Sequence, residues 1–159
     1  MKIRILTIGK IKEKYLQDGI AEYLKRLKPY ATVEIIEVMD EAVSEKASAS
    51  EIEIAKQKEG QKILKYLKDN DFVINLDLNQ KQYTSPEFAT LLSKSLQDGG
   101  ASVSFIIGGS YGLSTELKNR GNLSISLSNM TFLHQMTRLI LLEQLYRAFK
   151  INRNEIYHK

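Results

Sequence analysis

The chain has 159 residues, enough for one α/β domain with a single hydrophobic core, and 43% of them are hydrophobic while 26% are charged. It contains no cysteine, which excludes disulfides, thiolate metal sites and a cysteine nucleophile, and no apolar run reaches the roughly 18 residues of a membrane span. The formal net charge of +4 permits a nucleic-acid partner without demonstrating one.

The first part of the chain predicts a strand, a helix and a second strand. Residues 2–8 are rich in β-branched side chains, as strands are, while residues 13–28 carry apolar side chains at three- and four-residue spacings, which is typical of an amphipathic helix. Residues 32–38 predict the second strand. The opening strand lacks the apolar core and the small-residue cleavage site of a secretory signal, so we expect a cytoplasmic protein.

A second helix and a third strand follow a long polar loop. Ser50 and Glu53 match the Ser-x-x-Glu capping box, which predicts a helix over about 51–67. Residues 72–78 predict the third strand. Its apolar run is nearly continuous, which indicates burial on both faces of a sheet.

The second half of the chain continues this alternation up to a long closing helix. Ser85, with Pro86 at the first helical position, predicts the start of a third helix. Residues 102–107 and 123–127 predict the fourth and fifth strands, and the closing helix covers 134–149. Strands separated by helical crossovers favour an α/β fold with a parallel sheet flanked by helices, and we expect one domain over the whole chain.

Three segments lie where such a sheet would bind a ligand, beyond the carboxyl ends of its strands. They are residues 76–78, the loop 108–112 with three glycines in five residues, and residues 127–132. The glycine loop matches neither the P-loop nor the dinucleotide fingerprint. Two interpretations of it stay open, a tight strand-to-helix turn and a cradle that recognises a ligand through backbone groups.

The third segment mixes small polar with large apolar side chains, a composition that suits adenine. Apolar side chains can cover the faces of the ring while backbone N–H and C=O groups recognise its edge. Leu76 could supply another wall. Taken singly, Met130 and Phe132 are residue types that are more often found in the core than in contact with a ligand.

Basic residues concentrate in the closing helix and the tail, where five bases from Arg138 onward face only two acids. This end is therefore the better candidate for contact with phosphates.

His134 lies near a helix N-terminus, whose dipole favours the neutral imidazole, either as a proton acceptor or as a structural hydrogen-bond partner. The tail alternates large apolar residues with bases, which favours docking onto a surface or a substrate. The apolar stripe of the closing helix fits either core burial or a second subunit.

Several blocks in order along the chain resemble the RlmH family, the bacterial large-subunit ribosomal RNA methyltransferases H of the SPOUT superfamily. The likeness covers the whole chain and is densest in four blocks: residues 105–113, 127–138, 143–148 and 157–159. The resemblance implies an α/β fold whose C-terminal part forms a trefoil knot, which general rules of chain topology would not suggest. It also implies a homodimer without a metal, with S-adenosylmethionine bound in the knot.

The resemblance further implies methylation of N3 of a pseudouridine in 23S ribosomal RNA, on assembled ribosomes. Carried over by position, the cofactor contacts are Leu76, Gly108, Leu127, Ser128, Asn129, Met130, Thr131 and Phe132. The tail of one subunit would complete the active site of the other. The candidate catalytic residues are His158, Tyr157, His134 and Arg138.

Two alternatives predict different ligands. A non-catalytic RNA-binding or ribosome-associated module would use the same basic end and bind no cofactor. A nucleotide-dependent enzyme of the doubly wound type would need a phosphate-binding lysine loop or a dinucleotide fingerprint, and the sequence carries neither.

Overall fold

The computed structural model describes residues 1–159 and alternates five strands with five helices. All five strands run parallel in one sheet, in the order β2-β1-β4-β3-β5, which confirms the predicted fold class. In chain order the elements are β1 (Lys2–Ile8), α1 (Lys14–Leu27), β2 (Thr32–Val38), α2 (Ala49–Leu64), β3 (Val73–Lys81), α3 (Ser85–Asp98), β4 (Ser102–Ile107), α4 (Thr115–Arg120), β5 (Leu123–Ile125) and α5 (His134–Asn152).

The strand order brings the carboxyl ends of β3, β4 and β5 side by side. Leu76 near the end of the buried part of β3 lies opposite Ile107 of β4 on one side and Ile125 of β5 on the other. Because all three strands are parallel, the segments that leave them emerge at the same edge of the sheet. This edge is where the sequence predicts a ligand.

Helices cover both faces of the sheet. The larger apolar core lies between the sheet and α1, α3 and α5, and a smaller one lies under α2 and α4. The stripe of α5, including Leu141, Leu142 and Leu145, is buried within this single chain, so core burial accounts for it. None of the helices has both the length and the apolar character needed to span a membrane.

The predicted capping box of α2 is wrong by two residues. Ser48, not Ser50, caps the helix: its hydroxyl accepts a hydrogen bond from the Glu51 N–H at 3.3 Å, and the Glu51 carboxylate accepts one from the Ser48 N–H at 2.6 Å. Two overlapping Ser-x-x-Glu patterns compete here. The earlier one adds Ala49, the residue type with the highest helix propensity, to the first turn.

Four further differences concern α4, the ends of β3 and β5, and the start of α3. Helix α4 was not predicted. Strand β3 continues to Lys81 through Asn79, which has φ of 58° and marks a shift in register, and β5 ends at Ile125 rather than at 127. The cap of α3 is Thr84 rather than Ser85, because Thr84 and Glu87 form their own capping box, so Pro86 is the second helical residue.

Candidate functional site

A cavity of about 580 Å³ lies at the edge of the sheet where β3, β4 and β5 end. Its walls come from residues 76–78, 107–113 and most of 127–134, together with Lys118 and Thr137. This volume lies within the range of small-molecule sites, roughly 300–1,000 Å³. The three strand-end segments singled out from the sequence thus surround one space.

Seven of the eight residues expected to contact a cofactor line this cavity; the exception, Asn129, is exposed and lies outside the lining. Of the four candidate catalytic residues, only His134 lines it. Arg138, Tyr157 and His158 lie elsewhere on or beyond α5. The catalytic roles of these four residues stay predictions. Within one chain, His134 can reach a ligand in the cavity, whereas Arg138, Tyr157 and His158 do not border it.

The glycine loop is both a tight turn and a wall of the cavity. The Gly112 N–H donates to the Gly109 carbonyl at 3.0 Å, and Gly112 has φ of 84°. A Cβ on Gly108 would lie 2.8 Å from the backbone carbon of Gly112, closer than real Cβ atoms come. Position 108 therefore admits only glycine without movement of the turn. The tight-turn interpretation is confirmed, and recognition of a ligand by the loop stays a prediction.

Ser126 joins the segment after β5 to the end of β3. Its hydroxyl donates to the Asp77 carbonyl at 2.6 Å and accepts from the Gln80 N–H at 2.8 Å. Ser126 is buried, so these bonds are shielded from water. Two walls of the cavity are consequently fixed to each other just before residues 127–132 begin.

An ion pair that sequence reasoning missed also lines the cavity. The Lys118 ammonium lies 3.4 Å from the Asp77 carboxylate, and these two are the only Asp, Glu, Lys or Arg residues in the lining. The fully buried Asn75 holds α4 in place, because its side-chain amide donates to the Leu117 carbonyl at 3.0 Å. In the sequence, the only signal for this pair was the alternation of the polar residues Asn75 and Asp77 within the otherwise apolar segment 72–78.

His134 borders the cavity at the start of α5. Its Nε2 would lie 3.6 Å from a Cβ placed on Gly9, so the imidazole packs against the turn that follows β1. Burial, and after it the neighbouring Arg138 guanidinium, lowers the pKa of His134 below its usual range. The neutral imidazole expected from the sequence is therefore favoured, with burial as the main cause, and it can accept a proton.

Arg138 joins α5 to the ends of β1 and β2. Its guanidinium is fully buried, pairs with Glu37 at 2.7 Å and donates to the carbonyls of Ile8 at 3.0 Å and Gly9 at 2.7 Å. All of these partners are protein groups behind the cavity. The geometry therefore shows a structural anchor for the turn against which His134 packs.

The tail lies against the outer face of α5. The Tyr157 ring meets Tyr146 edge-on at 4.9 Å between centroids, and its hydroxyl donates to Glu143 at 3.2 Å. Burial raises the pKa of Tyr157, so its hydroxyl keeps its proton. Arg147 pairs with Glu143, four residues before it on α5, and its guanidinium lies 3.3 Å from Nδ1 of the exposed His158.

Glu59 of α2 is a second feature that sequence reasoning missed. It is buried behind the glycine turn, with both carboxylate oxygens 3.5 Å from the position of a Cβ on Gly109. The Glu41 N–H donates to it at 3.1 Å, but no cation pairs with it. Burial raises the pKa of this carboxyl.

We expect Glu59→Gln to stabilise the protein at pH 8 and to have little effect near pH 4. Because folding raises this pKa, the folded state gains stability at low pH that is lost as the pH rises through the folded-state pKa. Glutamine keeps an oxygen for the Glu41 N–H and does not ionise. Urea unfolding of both proteins between pH 4 and 8 measures the difference, and a difference independent of pH would contradict this account.

The fold and the strand-end cavity place the chain among SPOUT methyltransferases. A family model described as "Predicted SPOUT methyltransferase" matches residues 1–158. A Legionella pneumophila protein described as a methyltransferase, solved with its bound cofactor SAM, superimposes with a TM-score of 0.50 at 13% identity, over 96% of this chain and 66% of that one, just under two thirds. At this identity the likeness shows the fold alone.

Relatives from Bacillus are much closer in sequence. Proteins named "Ribosomal RNA large subunit methyltransferase H" from Bacillus thuringiensis strain Al Hakam, Bacillus cereus strain B4264 and Bacillus anthracis are each 54% identical to this chain over 159 residues, all of both chains. The chain therefore belongs, within the SPOUT methyltransferases, to the family of ribosomal RNA large subunit methyltransferase H, the RlmH family.

Proposed function

We propose that this protein transfers a methyl group from S-adenosylmethionine to N3 of a pseudouridine in 23S ribosomal RNA, and that it acts on assembled ribosomes in the cytoplasm. The observation that carries the proposal is the strand-end cavity, built from a glycine turn and from the segment 127–132, in a chain that matches large-subunit RNA methyltransferases over its full length. The modified atom and the preference for ribosomes are inferred from the RlmH resemblance.

The cavity fits the proposed cofactor. Leu76, Leu127 and Phe132 give it apolar walls, as the faces of an adenine require, and the glycine turn leaves backbone groups open to the ring edge. A Cβ on Gly108 would collide with the Gly112 backbone, so the glycine keeps the turn that lines the cavity in place. We assign the contacts to Leu76, Gly108 and the segment 127–132, of which Asn129 would have to act from outside the observed lining.

The reaction requires removal of the N3 proton and alignment of the nucleophile. When bound, S-adenosylmethionine supplies the methyl group. Alignment of well-oriented groups can contribute about 7–11 kcal/mol to lowering the barrier. The protein offers two proton acceptors, His134 at the cavity and His158 in the tail, and a positioned base contributes about 10²–10⁴-fold. We assign proton removal to His158, because it lies in the base-rich C-terminal end, where the Arg147 guanidinium contacts its ring and also lies over the Tyr157 ring.

A homodimer would bring this tail to a cavity. Tyr157 and His158 do not line the cavity of their own chain, whereas Met130 and Leu133 at its rim are 74% and 53% exposed. Exposed apolar groups around a binding site are suited to a protein partner. We propose that a second copy covers this rim, and that the tail of each subunit completes the site of the other.

Calorimetric titration with S-adenosylmethionine and with ATP tests the cofactor. We expect heat with the first ligand and none with the second, because the glycine loop is not a P-loop and the only cation in the lining, Lys118, is already paired with Asp77. A non-catalytic RNA-binding module would give heat with neither ligand. Binding of ATP alone would identify a nucleotide-dependent enzyme and contradict the proposal.

Gly108→Ala is expected to weaken S-adenosylmethionine binding at least tenfold. The new Cβ would press on the backbone of Gly112 and displace the turn that lines the cavity. Such overpacking also costs roughly 1–3 kcal/mol of stability. Gly19→Ala is the matched control: the change is the same, but it meets only the Leu139 side chain, away from the cavity. Unchanged binding by Gly108→Ala would remove the turn from the cofactor site.

A further inference from the structure

The Asp77–Lys118 pair is unusual for a site that otherwise suits adenine. The rest of the cavity lining is apolar, glycine, hydroxyl or imidazole, so the cavity contains one fixed negative and one fixed positive charge next to each other. An adenine or a ribose carries no charge that would call for such a pair. A ligand that carries two opposite charges close together could pair with both Asp77 and Lys118.

The pair is built into the fold rather than loose on the surface. The Asp77 side chain is only 13% exposed, and its Oδ1 accepts a hydrogen bond from the Leu78 N–H at 2.9 Å, which fixes the carboxylate. Lys118 is 49% exposed, but its helix is held by the buried Asn75 amide, which reaches the carbonyls of Leu117 at 3.0 Å and Lys118 at 3.4 Å. Two residues of β3 therefore contact α4: Asn75 donates to its backbone carbonyls, and Asp77 pairs with its lysine, Lys118.

Because Lys118 is half-exposed, the ion pair itself contributes little to stability, since solvent-screened ion pairs are worth about 0–1 kcal/mol. Both charges nevertheless face a cavity large enough for a ligand. A ligand that carries an ammonium and a carboxylate close together would pair with both groups at once, its ammonium with Asp77 and its carboxylate with Lys118. The α-amino acid zwitterion has this arrangement of charges.

We propose that Asp77 and Lys118 form the subsite for the amino-acid end of the cofactor, with Asp77 receiving the α-ammonium and Lys118 the α-carboxylate. The inference rests on the proposed use of S-adenosylmethionine and specifies which end of it this part of the cavity binds. The adenine then lies against Leu127–Phe132 and the glycine turn. The pair would then make the cavity prefer adenosyl ligands that carry the amino-acid group over those that lack it.

The contribution of the amino-acid end can be measured by calorimetry with two ligands whose sulfur is uncharged. S-Adenosylhomocysteine carries the amino acid, and 5′-methylthioadenosine lacks it but keeps the nucleoside and the sulfur. The native protein is expected to bind the first at least tenfold more tightly. Asp77→Asn and Lys118→Gln should each weaken binding of S-adenosylhomocysteine about tenfold, the usual effect of losing one charged hydrogen bond, and leave binding of 5′-methylthioadenosine unchanged.

The variants are chosen to preserve the fold. Asparagine retains an oxygen for the Leu78 N–H, and Lys118 is half-exposed. Lys94→Gln on α3 removes the same charge from an exposed position outside the cavity and should bind both ligands as the native protein does. Thermal unfolding of each variant accompanies the titrations.

The outcomes separate this inference from the proposed function. Equal weakening of both ligands by Asp77→Asn would place that carboxylate at the nucleoside and overturn the subsite. Weakening of S-adenosylmethionine but not of S-adenosylhomocysteine would place it at the sulfonium and overturn the subsite as well, as would unchanged binding of every ligand. Failure of the native protein to bind any of the three ligands would instead overturn the proposed function, and the subsite with it.

Discussion

His158→Ala is expected to lower methyl transfer to ribosomes by about 10²–10⁴-fold, the usual contribution of a positioned base. The affinity for S-adenosylmethionine should change little, because the role assigned to His158 is removal of the N3 proton of the substrate, and none of the assigned cofactor contacts involves it. The side chain is exposed and its only hydrogen bond is to Arg147, so the fold should be unaffected. Single-turnover rates with saturating cofactor measure the effect.

His158→Gln distinguishes proton transfer from positioning. Glutamine can still contact Arg147 but cannot accept a proton at neutral pH. We expect this variant to be as slow as His158→Ala. Full activity of the glutamine variant would show that His158 only holds the tail in place and would move the base to His134.

Mixing two impaired variants, at a concentration of S-adenosylmethionine too low to load the Gly108→Ala cavity, tests whether the tail acts on the partner subunit. A heterodimer of Gly108→Ala and His158→Ala contains one site made from an intact cavity and an intact tail, if the tail crosses to the other subunit. Random exchange of equal amounts makes half of the dimers mixed, so about a quarter of the native activity should return. No recovery would mean that each tail serves its own chain.

Arg138→Met is expected to destabilise the protein by about 3 kcal/mol, the lower end of the range for breaking a buried ion pair, because Glu37 is partly exposed. The change removes the partner of Glu37 and leaves the carbonyls of Ile8 and Gly9 without their donor. Glu37 keeps one hydrogen bond, from the Ile11 N–H at 3.1 Å. Urea unfolding measures the loss.

The double variant Arg138→Met, Glu37→Leu provides the control. Removal of both charges should recover part of the stability, since no unpaired carboxylate then remains. A native-like stability of Arg138→Met combined with a loss of methyl transfer would contradict the structural role. In that case Arg138 would return to the catalytic candidates.

The fold class could be read from the sequence because the apolar period changes from two to about 3.6 at nearly every element boundary. The strand order could not, since it depends on pairings between distant parts of the chain, such as β1 with β4. Helix α4 was missed because six residues make less than two turns and show no period. The trefoil knot, which only the family resemblance implied, stays a prediction.

The position of the candidate site could be predicted from a general property of parallel sheets, whose strands end at one common edge. This rule identified the segments that begin at Leu76, Gly108 and Leu127. The rule could not identify residues on helices whose side chains lie at the cavity or behind the glycine turn. Lys118 and Glu59 contribute only through contacts with residues far away in the chain, and neither has a local pattern that distinguishes it from a surface charge.

Methyl incorporation into ribosomes that lack the modification tests the central claim most directly. The protein is incubated with S-adenosylmethionine carrying a labelled methyl group and either 70S particles or free ribosomal RNA, and the nucleosides are then identified by mass spectrometry. We predict labelled N3-methylpseudouridine in the 23S RNA of the particles and none in the free RNA. The absence of label from both substrates, with a protein that is folded, would contradict the assignment.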